Sequence, residues 1–387
     1  MMCLALSDPR HQVLIVGGGA AGLSVAVRVS SDAVLVSASP RPGWPPHCTG
    51  LISPETLKLL SAHEAVSDTY RGAVFLDARL REVCRVERRR VLAYRVNRPL
   101  MEEVFAEEAR ARGVRMMFSK PVVHVDWLTG CAMLADGGRI CGERVVLAPG
   151  YSPRFAMLFG AERCERLYGV EVRVVLARRM LDDVFYTIHG SIYTPEFFAW
   201  IVPVNAGREA LIGLAARNKP LERLAALLDD LARRGVADYT RVVSRRNGII
   251  VMGPAAKRIT RGKLVGLGDV LCASKPFTGG GLYAISRLAS LVAGYADNTI
   301  AYGELDAAWR LLRRELLLQR KLTKLLRVLL SSSLTKLVLA PICEAGSRGL
   351  CSLDYDRHSS AVSCLWKLYR LWGGGRVAEA RAAEENS

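Results

Sequence analysis

The sequence lacks several features that mark common functional classes. No two of its ten cysteines are spaced as Cys-x-x-Cys, so we expect no zinc ribbon, iron–sulfur centre or other metal site. No apolar run reaches the roughly 18 residues that a membrane-spanning helix needs. The N-terminus has neither a basic segment nor a long apolar stretch ahead of the first predicted strand. We therefore predict no signal peptide and a cytoplasmic location.

Acidic residues are scarce relative to basic ones. The 387 residues include 54 lysines and arginines against 37 aspartates and glutamates, which gives a net charge of +17. Such a field attracts an anionic membrane surface or an acidic protein. No nucleic-acid-binding module is recognisable, so we expect no nucleic-acid partner. A solvated surface suited to high temperature or salt would have the same excess, and composition leaves these explanations open.

A glycine-rich turn lies between an apolar strand-like run and an apolar helical stretch. Gly17, Gly19 and Gly22 are spaced Gly-x-Gly-x-x-Gly, which is typical of dinucleotide binding. Gly17 permits a tight turn, Gly19 lets the backbone approach a pyrophosphate, and Gly22 lets helix and strand pack closely. Ala20 and Ala21 begin the helix, whose free N–H groups favour phosphate.

The second predicted strand departs from the usual dinucleotide-binding pattern. In such folds an Asp or Glu commonly ends this strand and binds the ribose hydroxyls. Here the apolar run 33–36 is followed by Ser37, whose hydroxyl forms weaker hydrogen bonds than a carboxylate. We predict Ser37 as the ribose ligand, and Ser39 offers a second hydroxyl.

A second glycine cluster follows a late apolar strand. Gly268 and Asp269 end that strand, where a carboxylate can bind the ribityl chain of a flavin held by the first turn. The glycines 279–281 then open a helix at Leu282, and its positive end would stabilise an anionic reduced flavin. The alternative is that Asp269 is a turn residue with no ligand.

The middle of the chain predicts strands and its end predicts helices. Alternating apolar residues along 70–96 and 165–215 predict a β-ribbon and long antiparallel strands that roof a cavity. Beyond about residue 300 the pattern is helical. The predicted fold class is α/β with α+β elements: a Rossmann-like nucleotide-binding domain, an antiparallel substrate-binding sheet domain and a C-terminal helical region. The predicted boundaries are 1–69, 97–160 and 250–300 for the first, 70–96 and 161–249 for the second, and 301–387 for the third.

Several sequence blocks together resemble the geranylgeranyl reductase family, within the larger group of flavoproteins with the p-hydroxybenzoate hydroxylase fold. The glycine-rich turn is the first block, and 46–53 is similar to the family's Cys-x-Gly-x-x-Ser loop. The segment 198–213 is similar to its Tyr-x-Trp-x-Phe-Pro…Val-Gly segment, and 268–281 to its Gly-Asp-Ala…Pro…Gly-Gly-Gly block. Residues 94–98 match Tyr-x-Val-x-Arg. The resemblance covers residues 13 to about 295.

The resemblance implies FAD as the cofactor and reduction of isolated C=C bonds in geranylgeranyl chains, as in archaeal ether lipids. It implies that Arg98 contacts the cofactor and that Cys48 lines the substrate side of the flavin. Phe198, Trp200 and Pro203 would shape the lipid pocket. The predicted cofactor-binding residues are Gly17, Gly19, Ala20, Ala21, Gly22, Ser37, Cys48, Thr49, Gly50, Arg98, Gly268, Asp269, Gly279, Gly280, Gly281 and Leu282.

Reduction of an unactivated alkene also needs a proton donor, because hydride addition to one carbon requires protonation of its neighbour. Cys48, with His47 beside it, is the candidate in a matching loop. The alternative is that Cys48 is a structural buried thiol, since free cysteines are commonly buried. Trp200 is likewise either a lipid contact or general core.

The chain departs from the larger flavoprotein group at a second turn. The segment 148–154 only loosely matches the Asp-Gly-x-x-Ser turn that helps hydroxylases use a nicotinamide, because Pro149 replaces the Asp. No second dinucleotide motif is present. We therefore expect an external electron donor, either a ferredoxin drawn by the basic surface or a reduced flavin or NAD(P)H system.

The predicted C-terminal helices carry two further expectations. Between residues 309 and 336, Arg and Lys alternate with leucines, so this segment either lies on an anionic membrane on the cytoplasmic side or packs its leucines on the protein body. Most cysteines are expected to be buried as small apolar residues. Cys343, Cys351 and Cys364 are the candidates for a disulfide.

Two other functions remain open from the sequence. A flavin monooxygenase or halogenase shares the fold, and the segment 198–203 resembles the halogenases' Trp-x-Trp-x-Ile-Pro, although Phe198 replaces the first Trp. A degenerate flavoprotein that binds lipid or a protein partner would also accommodate Ser37 and Pro149.

Overall fold

A computed structural model describes residues 10–161, 164–253, 255–330, 335–349, 353–357 and 359–360. The chain forms two compact units, and each unit is built from several separate segments of the sequence. The first contains the described residues up to Ser67, Val96–Arg166 and Ile250–Arg320. The second contains Asp68–Arg95, Leu167–Ile249 and the described residues from Lys321 onward.

The strands and helices follow the apolar patterns of the sequence. The strands are β1 (Arg10–Val16), β2 (Ala33–Val36), β3 (Leu51–Ile52), β4 (Val66–Tyr70), β5 (Gly72–Leu76), β6 (Glu82–Glu87), β7 (Ala93–Val96), β8 (Arg115–Met117), β9 (Val122–Asp126), β10 (Cys131–Leu134), β11 (Arg139–Leu147), β12 (Glu165–Leu176), β13 (Val184–Ile188), β14 (Ala199–Val204), β15 (Glu209–Ala216), β16 (Tyr239–Met252), β17 (Thr260–Arg261) and β18 (Leu264–Gly266). The helices are α1 (Ala20–Ala26), α2 (Pro54–Leu60), α3 (Arg98–Ala111), α4 (Pro153–Leu158), α5 (Pro220–Arg233), α6 (Leu282–Ala296), α7 (Tyr302–Leu330) and α8 (Thr335–Ser347). Short 3₁₀ turns cover His63–Ala65 and Gly268–Leu271.

The sheet of the first unit has a parallel centre. Its order is β17-β18-β11-β1-β2-β8, and β9 and β10 extend it from β11. The neighbours from β18 to β8 are parallel. The central strand β1 is apolar without alternation because both of its faces are buried: Val13, Leu14 and Ile15 have no exposed surface. The predicted Rossmann-like architecture is confirmed.

The sheet of the second unit is mostly antiparallel. Its order is β16-β12-β15-β14-β13-β5-β6. One face packs its aliphatic side chains against α5 through Leu224, Leu227 and Leu231. Because side chains alternate between faces, every second residue of β12, β14 and β15 points away from this core. This predicted antiparallel sheet is also confirmed.

Two elements differ from the sequence-based expectation. The edge strand β16 was not predicted, because paired residues such as Val242-Val243 and Arg245-Arg246 interrupt simple alternation. The region from residue 301 is not a separate body. Leu305 and Trp309 of α7 have no exposed surface, and Nε of Arg313 donates to the carbonyl oxygen of Ala256 at 3.0 Å. The first part of α7 therefore belongs to the first unit.

Four of the seven described cysteines are buried, as expected, but six of the seven are paired in disulfides that the sequence did not predict. Cys343 pairs with Cys84, 259 positions away, because α8 packs on β6. Cys351 and Cys364 lie outside the described residues. The spacing of cysteines in the sequence does not predict such long-range pairs. The disulfides in the described residues are Cys84–Cys343, Cys131–Cys141 and Cys164–Cys272.

Candidate functional site

The carboxyl ends of four parallel strands meet at one edge of the first sheet. Gly17 follows β1, Ser37 follows β2, Ala148 follows β11, and Gly268 lies just beyond β18. In open parallel sheets this edge is where ligands bind. The fold therefore brings the first glycine turn, Ser37 and the Gly268-Asp269 turn to the same side of the sheet.

The first glycine turn has the geometry that its spacing predicts. Gly17 has φ 114°, and a Cβ there would lie 2.1 Å from the carbonyl oxygen of Ala148. A Cβ at Gly22 would lie 1.8 Å from the carbonyl oxygen of Gly17, so α1 packs directly on the turn. Ala20 and Ala21 are buried in the first turn of α1.

Space is open above Gly19. A Cβ at this position would meet no atom within 4 Å, and Gly19 is the N-cap of α1 without a capping side chain. The first turn of α1 carries no acidic residue. The free N–H groups of this helix end are thus accessible to an anionic group.

Ser37 lies against the glycine turn. A Cβ at Gly18 would be 2.8 Å from both Cβ and Oγ of Ser37, and Ser37 itself is buried. Its Oγ accepts a hydrogen bond from the backbone N–H of Ser39 at 3.2 Å. The hydroxyl therefore keeps its own proton for a ligand oxygen, as a ribose contact requires.

The Cys48 loop is fixed to the segment that carries Arg98. The backbone N–H of Val96 donates to the carbonyl oxygen of Gly50 at 2.9 Å. Gly50 has φ 86°, and a Cβ there would lie 2.2 Å from the carbonyl oxygen of Val96. Cys48 and Thr49 are half-buried, and the side chain of Arg98 hydrogen-bonds the sulfur of Cys48. Four predicted residues, Cys48, Thr49, Gly50 and Arg98, are thereby brought together.

Arg98 is held by an acidic residue one helical turn later. Its Nη2 forms an ion pair with Oε1 of Glu102, and Oε2 of Glu102 accepts the backbone N–H of Gly43 at 3.0 Å. Burial by itself lowers the pKa of Arg98, but the negative charge of Glu102 and the sulfur of Cys48 raise it above its ordinary value. Arg98 is therefore a permanent, oriented cation.

Asp269 lies close to Arg98 and His47. Its Oδ1 accepts a hydrogen bond from Oγ of Ser274 at 3.2 Å. Burial raises the pKa of Asp269, and the Ser274 hydrogen bond and the charges of Arg98 and His47 only partly oppose that rise. The ring of His47 is exposed, and its Nδ1 lies 2.6 Å from the carbonyl oxygen of Pro45, to which it donates.

The second glycine cluster lets the backbone pass close to Asp269 and to a buried lysine. A Cβ at Gly281 would lie 3.2 Å from Oδ1 of Asp269, and one at Gly280 would lie 2.7 Å from Cε of Lys275. Gly279 has φ 69°. Gly281 is the N-cap of α6, which begins at Leu282 and has no acidic residue in its first turn. The positive end of α6 and the side chain of Lys275, which is 1% exposed, thus lie together.

The residues present fit FAD. Nε of Arg98 and Oγ1 of Thr278 are buried polar atoms without a hydrogen-bond partner in the described part of the chain. Buried polar atoms are normally paired, so both are free to bind ligand atoms. Gly19 leaves room for a pyrophosphate. When FAD is bound, the two glycine clusters, Ser37, Arg98 and Asp269 are the residues that would hold it.

A row of aromatic and polar side chains lies on one face of the sheet in the second unit. Trp200 of β14 is opposite Gly213 of β15, and Gly213 is opposite Glu171 of β12. Without a side chain at Gly213, the indole crosses that strand, and its Nε1 donates to Oε2 of Glu171 at 2.9 Å. Phe198 contacts the Trp200 ring edge to face at 6.0 Å.

His189 continues this row without adding charge. Its ring stacks on Phe198 at 5.9 Å and on Phe75 at 5.9 Å. Burial lowers the pKa of His189 to about 4, so the ring is neutral at physiological pH. The row of Phe75, His189, Phe198 and Trp200, here called the aromatic row, is an apolar surface with one carboxylate, Glu171, at its end.

Pro203 does not lie on the aromatic row. It pairs with Ala210 of β15, and Ala210 belongs to the aliphatic core that packs on α5. Strand residues alternate, so Pro203 faces away from Phe198 and Trp200. The prediction that these three side chains shape one pocket is therefore wrong for Pro203. Its carbonyl oxygen accepts the hydroxyl of Tyr70 at 2.6 Å.

Sequence reasoning missed three supporting residues in the first unit. Glu102 lies four positions after Arg98, a spacing that places opposite charges on one helix face. Ser274 and Lys275 stand inside the fourth matching block, between Asp269 and the glycines. Because a serine and a lysine lie so close in sequence to the predicted cofactor carboxylate, the sequence could have predicted a role for both. Glu171 in the second unit had no local signal, because only strand register brings it to Trp200.

Comparisons with known proteins agree with this geometry. A family model described as lycopene cyclase protein matches residues 12–336. Digeranylgeranylglycerophospholipid reductase 2 of Methanothermobacter thermautotrophicus is 25% identical over 350 residues, which are 81% of this chain and 85% of that protein. A geranylgeranyl bacteriochlorophyll reductase-like structure from Thermoplasma acidophilum aligns with a TM-score of 0.77 and 16% identity over 93% of this chain and 96% of that chain. The p-nitrophenol 4-monooxygenase of Pseudomonas putida aligns with a TM-score of 0.67 and 14% identity over 89% and 97%.

These matches confirm the predicted resemblance to geranylgeranyl reductases and the Rossmann-type, FAD-binding fold class. They also agree with FAD as the predicted cofactor. The family match extends over both units, through the whole of α7 and to the start of α8. The chain therefore belongs to the lycopene cyclase protein family, with the fold of flavin-dependent oxidoreductases.

Proposed function

We propose that this protein binds FAD and reduces isolated C=C bonds of geranylgeranyl chains in membrane lipids or their precursors. The observation that carries the proposal is the convergence of Arg98, Asp269 and the two glycine clusters, with two buried polar atoms left for a ligand. The similarity to a digeranylgeranylglycerophospholipid reductase over 81% of the chain supports the choice of substrate class.

The chemistry divides between cofactor and protein. Bound FAD, once reduced, supplies the hydride. An isolated alkene has no carbonyl to polarise, so the protein must align the chain, exclude water and deliver a proton to the neighbouring carbon. The pairing of Arg98 with Glu102 keeps a fixed positive charge beside the cofactor loop. Asp269 and Ser37 supply hydrogen-bonding groups for the sugar-like parts of the cofactor.

Cys48 is the proposed proton donor. Its thiol is half-buried and hydrogen-bonded by Arg98, whose charge stabilises the negative sulfur that remains after the proton leaves. We propose that the exposed ring of His47, one residue away in the sequence, restores that proton from solvent. In this role Cys48 acts as a general acid, and His47 acts as a relay.

The aromatic row is the proposed surface for the hydrocarbon chain. Its rings are apolar and polarisable, and the neutral His189 adds no charge that would have to be desolvated. Glu171 fixes the indole of Trp200 in one orientation. Pro203 supports the same strand from the opposite face.

Electrons are proposed to come from an external donor, because no second dinucleotide motif is present in the sequence. A ferredoxin attracted by the basic surface is the first candidate, and a reduced flavin or NAD(P)H system is the second. We propose a cytoplasmic location with peripheral contact at the inner membrane face. Within the described residues, no helix has the length and apolar character to cross a bilayer.

A flavin monooxygenase acting on a hydrophobic substrate is the second candidate. It is favoured by the alignment with p-nitrophenol 4-monooxygenase at a TM-score of 0.67. Both candidates need FAD, but only the monooxygenase needs oxygen.

One experiment separates these functions. The protein is incubated with FAD, a reductant and a geranylgeranylated lipid, with and without oxygen, and the product is weighed. The proposal expects a gain of about 2 Da per double bond without oxygen. A gain of about 16 Da that requires oxygen would establish the monooxygenase instead. Failure to retain FAD, with no product, would leave a degenerate flavoprotein.

A further inference from the structure

The helix α7 has two faces of opposite character. Trp309, Leu312 and Leu316 are buried, so this face is held by the protein. On the other side, Leu311 is 72% exposed and Leu318 is 47% exposed. Packing of leucines on the protein body therefore accounts for one face of the helix only. The leucines of the second face are left in water.

Basic residues lie beside these exposed leucines on the same side of the helix. Arg314 and Lys321 follow Leu311 and Leu318 at a spacing of three residues, which places all four side chains on one side of the helix. Lys324 is exposed one further turn along. None of these three cations forms an ion pair with the residues that the structure describes. We call these five residues the basic face of α7.

We propose that the basic face of α7 is a docking surface for an anionic lipid bilayer. Lipid phosphates match the three unpaired cations, and the acyl boundary just beneath them matches the two leucines. An acidic protein would satisfy the cations but offers nothing that requires two solvent-exposed leucines one heptad apart. The surface goes beyond the proposed reaction, and its recruitment role rests on the membrane substrate that we propose.

Charge should contribute more than apolar contact to this docking. Two leucines supply little apolar area compared with a free amphipathic helix, whose whole apolar face enters the bilayer. Each Lys or Arg near an anionic surface strengthens binding by about fivefold, so three of them contribute about a hundredfold. Binding should therefore require anionic lipid and weaken as salt rises.

The test measures co-sedimentation of the full-length protein with vesicles of phosphatidylcholine alone and with vesicles that also contain phosphatidylglycerol. We expect binding only to the second kind. Arg314→Gln, Lys321→Gln and Lys324→Gln together should reduce the partition coefficient by about a hundredfold. Leu311→Ser with Leu318→Ser should reduce it by about tenfold. All five positions are exposed, so the fold should tolerate both variants.

Matched controls separate this surface from the overall charge. Arg89→Gln, Arg90→Gln and Arg245→Gln remove the same charge from exposed positions elsewhere, and Leu128→Ser with Leu221→Ser removes two other exposed leucines. The proposal expects both controls to bind vesicles almost as the unmodified protein does. An equal loss in the controls would show a non-specific charge effect and overturn it.

The vesicle assay involves no turnover, so its result is independent of the proposed reductase activity. Absent binding to phosphatidylglycerol vesicles would overturn the docking surface while leaving the reaction untouched. A second outcome would also overturn it: the triple-charge variant binds vesicles normally but no longer accepts electrons from an acidic donor protein. That result would assign the basic face to a protein partner.

Discussion

The two units build their candidate sites from different parts of the polypeptide. In the first unit the glycines present backbone to the ligand space, and a methyl group at Gly17 or Gly22 would lie about 2 Å from a carbonyl oxygen. In the second unit the candidate surface consists of side chains from neighbouring strands, joined by ring contacts and by the Trp200–Glu171 hydrogen bond. Substitutions at a site built from backbone should each be strongly disruptive. Substitutions on a surface built from side chains should each remove only part of its function.

Cys48 sharpens the comparison because it is a reactive side chain within the backbone-built site. Cys48→Ser keeps the size and the ability to accept from Arg98, but a hydroxyl is a far weaker acid than a thiol. We expect turnover to fall by about 100- to 10,000-fold, the range that a general acid contributes. The flavin absorbance and the bound FAD per chain should stay unchanged. Full turnover with flavin bound would mean that the proton comes from elsewhere.

Two glycine substitutions test whether backbone makes the cofactor site. Gly19→Ala places a Cβ where no atom lies within 4 Å, whereas Gly22→Ala places one 1.8 Å from the carbonyl oxygen of Gly17. Gly19→Ala should leave the Tm of the apoprotein unchanged and weaken FAD binding by about tenfold to a hundredfold. Gly22→Ala should also lower the free energy of unfolding by about 3 kcal/mol.

The pair is measured by thermal unfolding of apoprotein and by FAD titration. Each variant is the control for the other, because both add one methyl group to the same turn. Unchanged FAD affinity in Gly19→Ala would place the pyrophosphate away from the turn and remove the basis of the backbone-built site.

The same difference explains which features the sequence predicted. The glycine turn, the Cys48 loop and the Gly268-Asp269 turn are local, since conformational demands on a few consecutive residues define each of them. The meeting of the glycine turn and the Gly268-Asp269 turn at one sheet edge follows from the parallel order of the strands, which apolar strands alternating with helices predict. The fold class was therefore accessible from the sequence, and so were the local turns; that these turns bind the cofactor stays a prediction.

The parts that sequence reasoning missed depend on long-range register. The family resemblance assigned Pro203 to the pocket with Trp200, but an odd separation in a strand puts the two side chains on opposite faces. Glu171 meets Trp200 only because β15 lies between β12 and β14. Cys84 and Cys343 likewise meet because α8 packs on β6. No short motif encodes these contacts.

Asp269 tests the electrostatics of the backbone-built site. Burial raises its pKa, so folded apoprotein holds the proton more tightly than the unfolded chain does. The free energy of unfolding should then fall as pH rises from below about 4 through that raised pKa. Asp269→Asn removes this dependence and should raise the Tm of the apoprotein at neutral pH.

The same substitution should weaken FAD binding by about tenfold to a hundredfold, because a charge-assisted hydrogen bond becomes a neutral one. Thermal unfolding across pH and FAD titration give the two readouts. A variant that keeps the pH dependence of stability would show that another group titrates, and one that keeps FAD affinity would leave Asp269 as a turn residue.

The smallest effects are expected on the sheet of the second unit, where the two faces can be compared directly. Phe198→Leu keeps apolar volume but removes a ring from the aromatic row, and an aromatic pair is worth about 0.5–1.5 kcal/mol. We expect the KM for the isoprenoid substrate to rise about threefold to tenfold, and the lost ring contacts with His189 and Trp200 to lower the free energy of unfolding by about 1 kcal/mol. Pro203→Ala acts on the opposite face and keeps the carbonyl that accepts the Tyr70 hydroxyl, so it should lower the free energy of unfolding by about 1 kcal/mol and leave the KM unchanged. The reverse pattern, with Pro203→Ala changing the KM and Phe198→Leu changing only the Tm, would assign the substrate to the α5 side of the sheet.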